Sequence, residues 1–323
     1  AAAAGQAAYL RAVACPSAGW CVAVGSYVAT GPALPTEGFV VTGSPGAWSA
    51  NAIAALAPAN VEPTVSLAQV ACAAPDQCAT AGTFIAAGGA SAGLEAVDAG
   101  GTWSVGPLAL PPDASAYPAV AVSGVACPSE STCAVAGAYE TAAGRREAFV
   151  TSLGAAATEL VMPDGARANP IAFFFGYADF TCAAPGDCAL GGQYRDEDKR
   201  YQGFLVDEVG GSWRAATRLR LPASARQVGR YGGVVAVTCP APGECRAGGA
   251  YLDARGRYQA YVVGERADRW TDASTIALPG GATTVGVDGG VYGLACASYS
   301  RCTAAGSYVA AEAQYEGFVA RLG

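Results

Sequence analysis

Apolar residues in this chain come in short runs of strand length, and the same run returns six times. Leu10–Val13, Leu67–Val70, Val122–Val125, Tyr177–Phe180, Val234–Val237 and Val291–Leu294 each lead into a cysteine. The position two before that cysteine is always large and apolar, so each run reads as a strand, A, bounded by turn residues. Five residues rich in Pro, Ser, Gly and Asp separate it from a second cysteine, which is the chemistry of a tight turn. Strand B runs from the second cysteine through a glycine to an aromatic: Tyr27, Phe84, Tyr139, Tyr194, Tyr251 and Tyr308. A polar loop of variable length leads to strand C, which opens on Glu37, Glu95, Glu147, Gln202, Gln259 or Glu316. A glycine-rich turn then precedes strand D, marked by Trp48, Trp103, Trp213 and Trp270 in four of the repeats.

First cysteines stand 57, 55, 55, 57 and 57 residues apart, so one unit of about 56 residues fills the chain. Four short antiparallel strands per unit, six units and no helical periodicity predict an all-β chain folded as a six-bladed β-propeller. A parallel β-solenoid is the competing architecture, for which this unit is long. Residues 1–9 read as an Ala-rich tail and residues 10–323 as one propeller domain. The sixth repeat ends before a strand D, so its blade is expected to be incomplete or completed by the N-terminus.

The cysteines change the picture most. Twelve fall in six identical pairs and the chain has no histidine, which points to local disulfides in an oxidising, extracellular compartment. The expected bridges are Cys15–Cys21, Cys72–Cys78, Cys127–Cys133, Cys182–Cys188, Cys239–Cys245 and Cys296–Cys302. Zinc would need four ligands from one place, and each repeat supplies two. No apolar run reaches the length of a membrane span, and no leader-like segment opens the sequence. A net charge of −7 argues against duplex nucleic acid as partner. Charge is also uneven: residues 1–144 hold one basic residue, Arg11, against eight acids, whereas residues 145–323 hold eighteen of each sign.

In the second repeat, Ala96-Val97-Asp98-Ala99-Gly100-Gly101-Thr102-Trp103 resembles the Asp-box (BNR) motif of sialidase-like propellers, and Glu208–Trp213 is a degenerate copy. In that family the motif is a structural turn, so the resemblance implies fold and not chemistry. The whole chain is also similar to C-x5-C repeat proteins of secreted actinobacterial type. A sialidase's arginine triad and Tyr/Glu nucleophilic pair have no matching motif here, so no catalytic residue is carried over.

Without histidine there is no Ser-His-Asp triad and no imidazole base, whereas paired carboxylates for glycoside hydrolysis stay open. Asp179 is the single acid in its strand A; the equivalent residues are Ala12, Gln69, Gly124, Ala236 and Gly293. The Glu/Gln row would suit Ca²⁺ if its members converged; otherwise each bonds within its own blade. No other cofactor is implied. Loops facing away from the bridged turns carry Tyr201, Tyr258 and Tyr315, with Tyr117, Asn169, Phe173–Phe175, Arg226, Arg230 and Tyr231 beside them. Exposed Tyr and Arg favour binding. The leading expectation is therefore a non-catalytic module for a glycan or surface protein. A carbohydrate-active enzyme and a structural assembly protein are the alternatives.

Overall fold

A computed structural model describes residues 7–30, 36–56, 64–86, 89, 91–166, 178–230, 232–282, 284–286, 289–310 and 314–323. The chain divides into two compact units, Ala1–Glu159 and Leu160–Gly323. Each holds three antiparallel sheets.

In the first unit, β1 (Ala8–Ser17), β2 (Trp20–Val28), β3 (Thr36–Ser44) and β4 (Ala47–Ile53) form the first sheet in sequence order. The second is β5 (Val65–Ala74), β6 (Gln77–Ile85), β7 (Ser91–Asp98) and β8 (Trp103–Pro107). The third is β9 (Ala121–Ser129), β10 (Thr132–Glu140), β11 (Arg146–Ser152) and the two-residue β12 (Thr158–Glu159).

In the second unit, the fourth sheet is β13 (Asp179–Ala184), β14 (Asp187–Arg195) and β15 (Tyr201–Val209), edged by β16 (Ser212–Trp213) and β17 (Thr217–Arg218). The fifth joins β18 (Ala225–Gln227), β19 (Gly233–Ala241), β20 (Glu244–Asp253), β21 (Tyr258–Gly264) and β22 (Ser274–Thr275). The sixth has three strands, β23 (Gly290–Ser298), β24 (Arg301–Val309) and β25 (Tyr315–Leu322). Among the described residues the one helical element is a 3-10 turn at Pro279–Gly281.

All twelve cysteines pair within their own repeats, as the spacing predicts. In the first unit Cys15–Cys21 ties β1 to β2, Cys72–Cys78 ties β5 to β6, and Cys127–Cys133 ties β9 to β10. In the second, Cys182–Cys188 ties β13 to β14, Cys239–Cys245 ties β19 to β20, and Cys296–Cys302 ties β23 to β24. Every bridge thus closes the turn between the first two long strands of its sheet, and no cysteine is left free to hold a metal. In four of these turns the residue two before the second cysteine is left-handed: Gly19, Asp76, Gly186 and Gly243. At the far end of the same hairpin the recurrent glycine admits a close approach. A Cβ on Gly137 would lie 2.4 Å from the Ala121 carbonyl and 2.9 Å from the Phe149 ring. That ring sits beside Tyr139 at 5.9 Å, edge to face, and the same aromatic pair recurs in every sheet but the second.

The exception follows from Leu94, which stands opposite Gly82 where the other sheets place Phe or Tyr opposite the glycine. Tyr27 faces Glu37, and Tyr139, Tyr194, Tyr251 and Tyr308 face Glu147, Gln202, Gln259 and Glu316. In the second sheet Phe84 faces Ala92, Leu94 lies opposite Gly82, and Glu95 pairs with Ala81. Glu95 therefore does not belong to the row in which the sequence places it. A phenylalanine has no hydroxyl to donate, and the acid opposite it is absent too.

Other boundaries differ from the sequence reading. Ala8 and Tyr9 already pair with Tyr27 and Ser26, so the first strand begins inside the expected tail. In the fifth sheet Trp270 makes only an isolated bridge to Glu265, and the edge strand is Ser274–Thr275. Tyr177, expected to open strand A of the fourth repeat, lies outside the described residues.

Cores form between the faces of successive sheets. Val22, Val24, Val40 and Ile53 pack on Val65, Leu67 and Leu94 in the first unit. In the second, Leu205 and Leu219 pack on Val234, Tyr251 and Tyr261, while Ala236 and Ala260 pack on Val291 and Phe318. Both faces of the middle sheets are thus buried, which is why their strands are apolar at nearly every position.

Candidate functional site

The structure brings some of the residues singled out by sequence together: the Tyr201 carbonyl accepts the Val228 N–H at 3.3 Å, and a Cβ on Gly229 would lie 2.7 Å from the Tyr258 hydroxyl, so both tyrosines border the segment of Arg226 and Arg230. Tyr201 opens β15 half-buried, with the Arg195 guanidinium 5.3 Å from its ring. Tyr258 opens β21 but is 7% exposed and belongs to the core beside Val285 and Ile276. Its burial corrects the expectation of a loop aromatic available to a ligand. Tyr315 opens β25 at 50% exposure. Arg226, in β18, and Arg230 are exposed. Tyr231, Asn169 and Phe173–Phe175 lie outside the described residues.

Two hairpins near these residues are fixed from within. Asp253 accepts the backbone N–H groups of Arg255 at 2.8 Å and Arg257 at 2.9 Å, and its other oxygen takes the Arg257 side chain and Gln259. Burial pushes this carboxyl up, but these donors and the Arg257 charge outweigh it and hold it below its usual range. Asp196 repeats the arrangement, accepting Arg200 N–H at 2.8 Å and Gln202 Nε2 at 2.7 Å. Gln202 and Gln259 thus serve their own hairpins. Glu37 and Glu316 accept the hydroxyls of Tyr27 and Tyr308, and Glu147 pairs with Arg145. The row is used within its sheets, and among the described residues no three acids gather as a metal would require.

Asp179 joins two sheets. One carboxylate oxygen accepts the Phe180 N–H at 2.9 Å and the other the Val237 N–H, in β19 of the next sheet, at 2.7 Å. Burial pushes its pKa up to about 6 against the pull of those two donors. With both oxygens engaged, it acts as a clasp.

A cleft that the sequence reading did not single out lies on the outer edge of the fourth and fifth sheets, with a volume of about 530 Å³. Strand β15 supplies Leu205 and Asp207. The segment carrying β17 supplies Arg214, Thr217, Arg218, Leu219 and Arg220, and the turn after β21 supplies Arg266, Asp268, Arg269, Trp270 and Thr271. Ala216 and Leu219 point into the core while Thr217, Arg218 and Arg220 are exposed. The Arg214, Arg218 and Arg220 side chains therefore lie at the surface.

The floor combines the apolar side chains of Leu205 and Leu219 with a tightly paired Trp270 and Asp207. Trp270 donates its indole N–H to both oxygens of Asp207, at 2.9 and 2.8 Å. Burial pushes Asp207 up to about 6, with the indole and Arg214 pulling the other way. Behind it, Glu265 is 1% exposed, and one of its carboxylate oxygens has no partner among the described residues. Burial first, and the charges of Asp207 and Asp268 next, push Glu265 up to about 8.

The walls are looser. Arg214 bonds Asp268 at 3.3 Å, Arg220 bonds Asp272 and the Trp270 carbonyl, and Arg218 bonds Gln202 at 2.8 Å. Arg266 and Arg246 lie over the Tyr299 ring at 4.1 and 4.0 Å. Two sequence signals point here: nearly all the arginines lie past residue 144, and Arg218 and Arg220 stand two apart beside a strand.

No family model and no curated protein sequence matches this chain. Solved structures do. A Trypanosoma rangeli sialidase in complex with sialic acid is 12% identical with a TM-score of 0.47, over 98% of this chain and 54% of that one. The chain thus spans about half the length of that sialidase. AofleA from Arthrobotrys oligospora is 10% identical, TM-score 0.45, over 98% of this chain and 86% of its own. The fucose-specific lectin from Aleuria aurantia is 10% identical, TM-score 0.43, over 96% and 91%.

Proposed function

We propose that the six sheets are the blades of one disulfide-stapled β-propeller, secreted, that acts as a non-catalytic binding module for an extracellular glycan. Sheets packed face to face in each unit support the architecture. Six disulfides fit an oxidising compartment. The observation that carries binding over catalysis is how the perturbed acids are used. Asp179 is committed to two backbone N–H groups, Asp207 to an indole, and Glu265 is sealed from solvent. The open cleft beside them presents guanidinium groups.

One observation favours the enzyme reading: Asp207 reaches the cleft with its pKa raised to about 6, as a general acid requires. A glycan array on the oxidised protein, run beside a reducing-sugar assay, separates the two. Retention without release is the expected result. Sugar release abolished by Asp207→Asn would replace the module with a glycosidase.

A further inference from the structure

We propose that the arginine cleft is the binding site for an acidic polysaccharide, one bearing sulfate or carboxylate groups on its sugar rings. This rests on the binding-module reading and gives it a ligand class and an address.

Charge is the first support. Five guanidinium groups line the cleft against two carboxylates, in a protein whose net charge is −7. The cleft therefore concentrates positive charge on a molecule that elsewhere repels polyanions, and it focuses the field into a concave site.

Availability is the second. Arg269 is exposed, and its side chain has no partner among the described residues. Arg218 bonds the neutral amide oxygen of Gln202, with the Asp196 carboxylate near enough to feel its charge. The Arg214–Asp268 and Arg220–Asp272 pairs lie at the surface, where such contacts contribute about 0–1 kcal/mol and exchange readily for another oxyanion. Guanidinium forks match the paired oxygens of sulfate and carboxylate.

The rest of the lining fits sugar. Leu205, Leu219 and Trp270 make an apolar base, and the exposed Thr217 and Thr271 supply hydroxyls at the rim. The volume is that of a small-ligand cleft and not of a flat protein interface. A few charged sugar rings satisfy all three conditions. An acidic peptide would use the charge and leave the base unfilled.

The test is biolayer interferometry on the immobilised, oxidised protein with four probes: dextran sulfate, polygalacturonate, plain dextran and polyglutamate. One or both acidic polysaccharides should bind, more weakly as salt is raised, and plain dextran should not. Whichever acidic probe binds tighter identifies the oxyanion. Joint Arg218→Ala and Arg269→Ala should weaken binding about a hundredfold, roughly tenfold per guanidinium. Arg11→Ala in the first sheet should change it less than about twofold, and near-UV circular dichroism should show both variants folded. Unchanged affinity in the double variant, or polyglutamate binding as tightly as the polysaccharides, overturns the proposal. Binding of neutral glycans lost in Tyr315→Ala or Arg226→Ala overturns the cleft and leaves the module reading intact. Failure of every glycan on the array removes both.

Discussion

The junction between the first and second sheets and the junction between the fourth and fifth both rest on an apolar core, to which the latter adds polar contacts. In the first, Val22, Val24, Val40 and Ile53 meet Val65, Leu67 and Leu94, and the indole N–H of Trp103 has no partner among the described residues. In the second, Asp179 reaches across to the Val237 N–H, Trp270 bonds Asp207, and arginines bond Asp268 and Asp272. Apolar packing, with a backbone bridge between Thr36 and Thr64, is therefore enough to join two sheets. The polar network between the fourth and fifth is an addition, placed beside the arginine cleft. Where a repeat departs from what stability requires, function is the better explanation.

The sharpest way to break this comparison is to remove the bridges. Each closes a loop of seven residues, and in the loop-entropy model contributes about 2 kcal/mol. Reduction should abolish cooperative unfolding in both units, as read by circular dichroism against denaturant; survival of the second unit alone would mean its polar network carries the fold. Next, Leu67→Ala should cost about 2–5 kcal/mol at the apolar junction.

Trp270→Phe should cost about 1–3 kcal/mol beyond Trp103→Phe, because it strands the buried Asp207 carboxyl whereas Trp103 Nε1 donates to no described residue. Equal costs, by local hydrogen exchange, would erase the distinction drawn between the junctions.

Asp179, Asp207 and Glu265 all carry folded pKa values raised above their unfolded ones, to about 6, 6 and 8. The folded state then holds more protons than the unfolded state between about pH 4 and 8, so stability is fullest below that window and falls as pH rises through it. Tm should decline by several degrees across the window, and Glu265→Gln should flatten its upper part. The smallest effect is expected from Arg220→Ala, about 0.5 kcal/mol at an exposed pair.

Much of the fold was legible because its signals were local and repeated. Cysteine spacing gave the bridges, and apolar runs gave the strands. Register was less legible: Glu95 looks like a member of the Glu/Gln row until pairing puts Ala92 opposite Phe84. Strand alignment depends on the partner chain segment, which a linear pattern does not contain. The cleft was harder still, since Arg214–Arg220 and Arg266–Thr271 lie some fifty residues apart in sequence and meet only when two sheets pack. Tyr258 failed the other way, its loop-edge position in sequence hiding a core position in space.

Each hairpin carries its covalent clasp at one end, and in every sheet but the second a glycine–aromatic fit inside, so a single repeat brings its own alignment with it. A gene segment copied in tandem would supply a part already held in register, needing only a neighbour to cover its face. Meanwhile the unclasped ends are free to drift in length and charge, as spacings of 55 and 57 residues between successive first cysteines record. Such a chain can acquire a new specificity by editing one pair of repeats, with the others left as unaltered ballast.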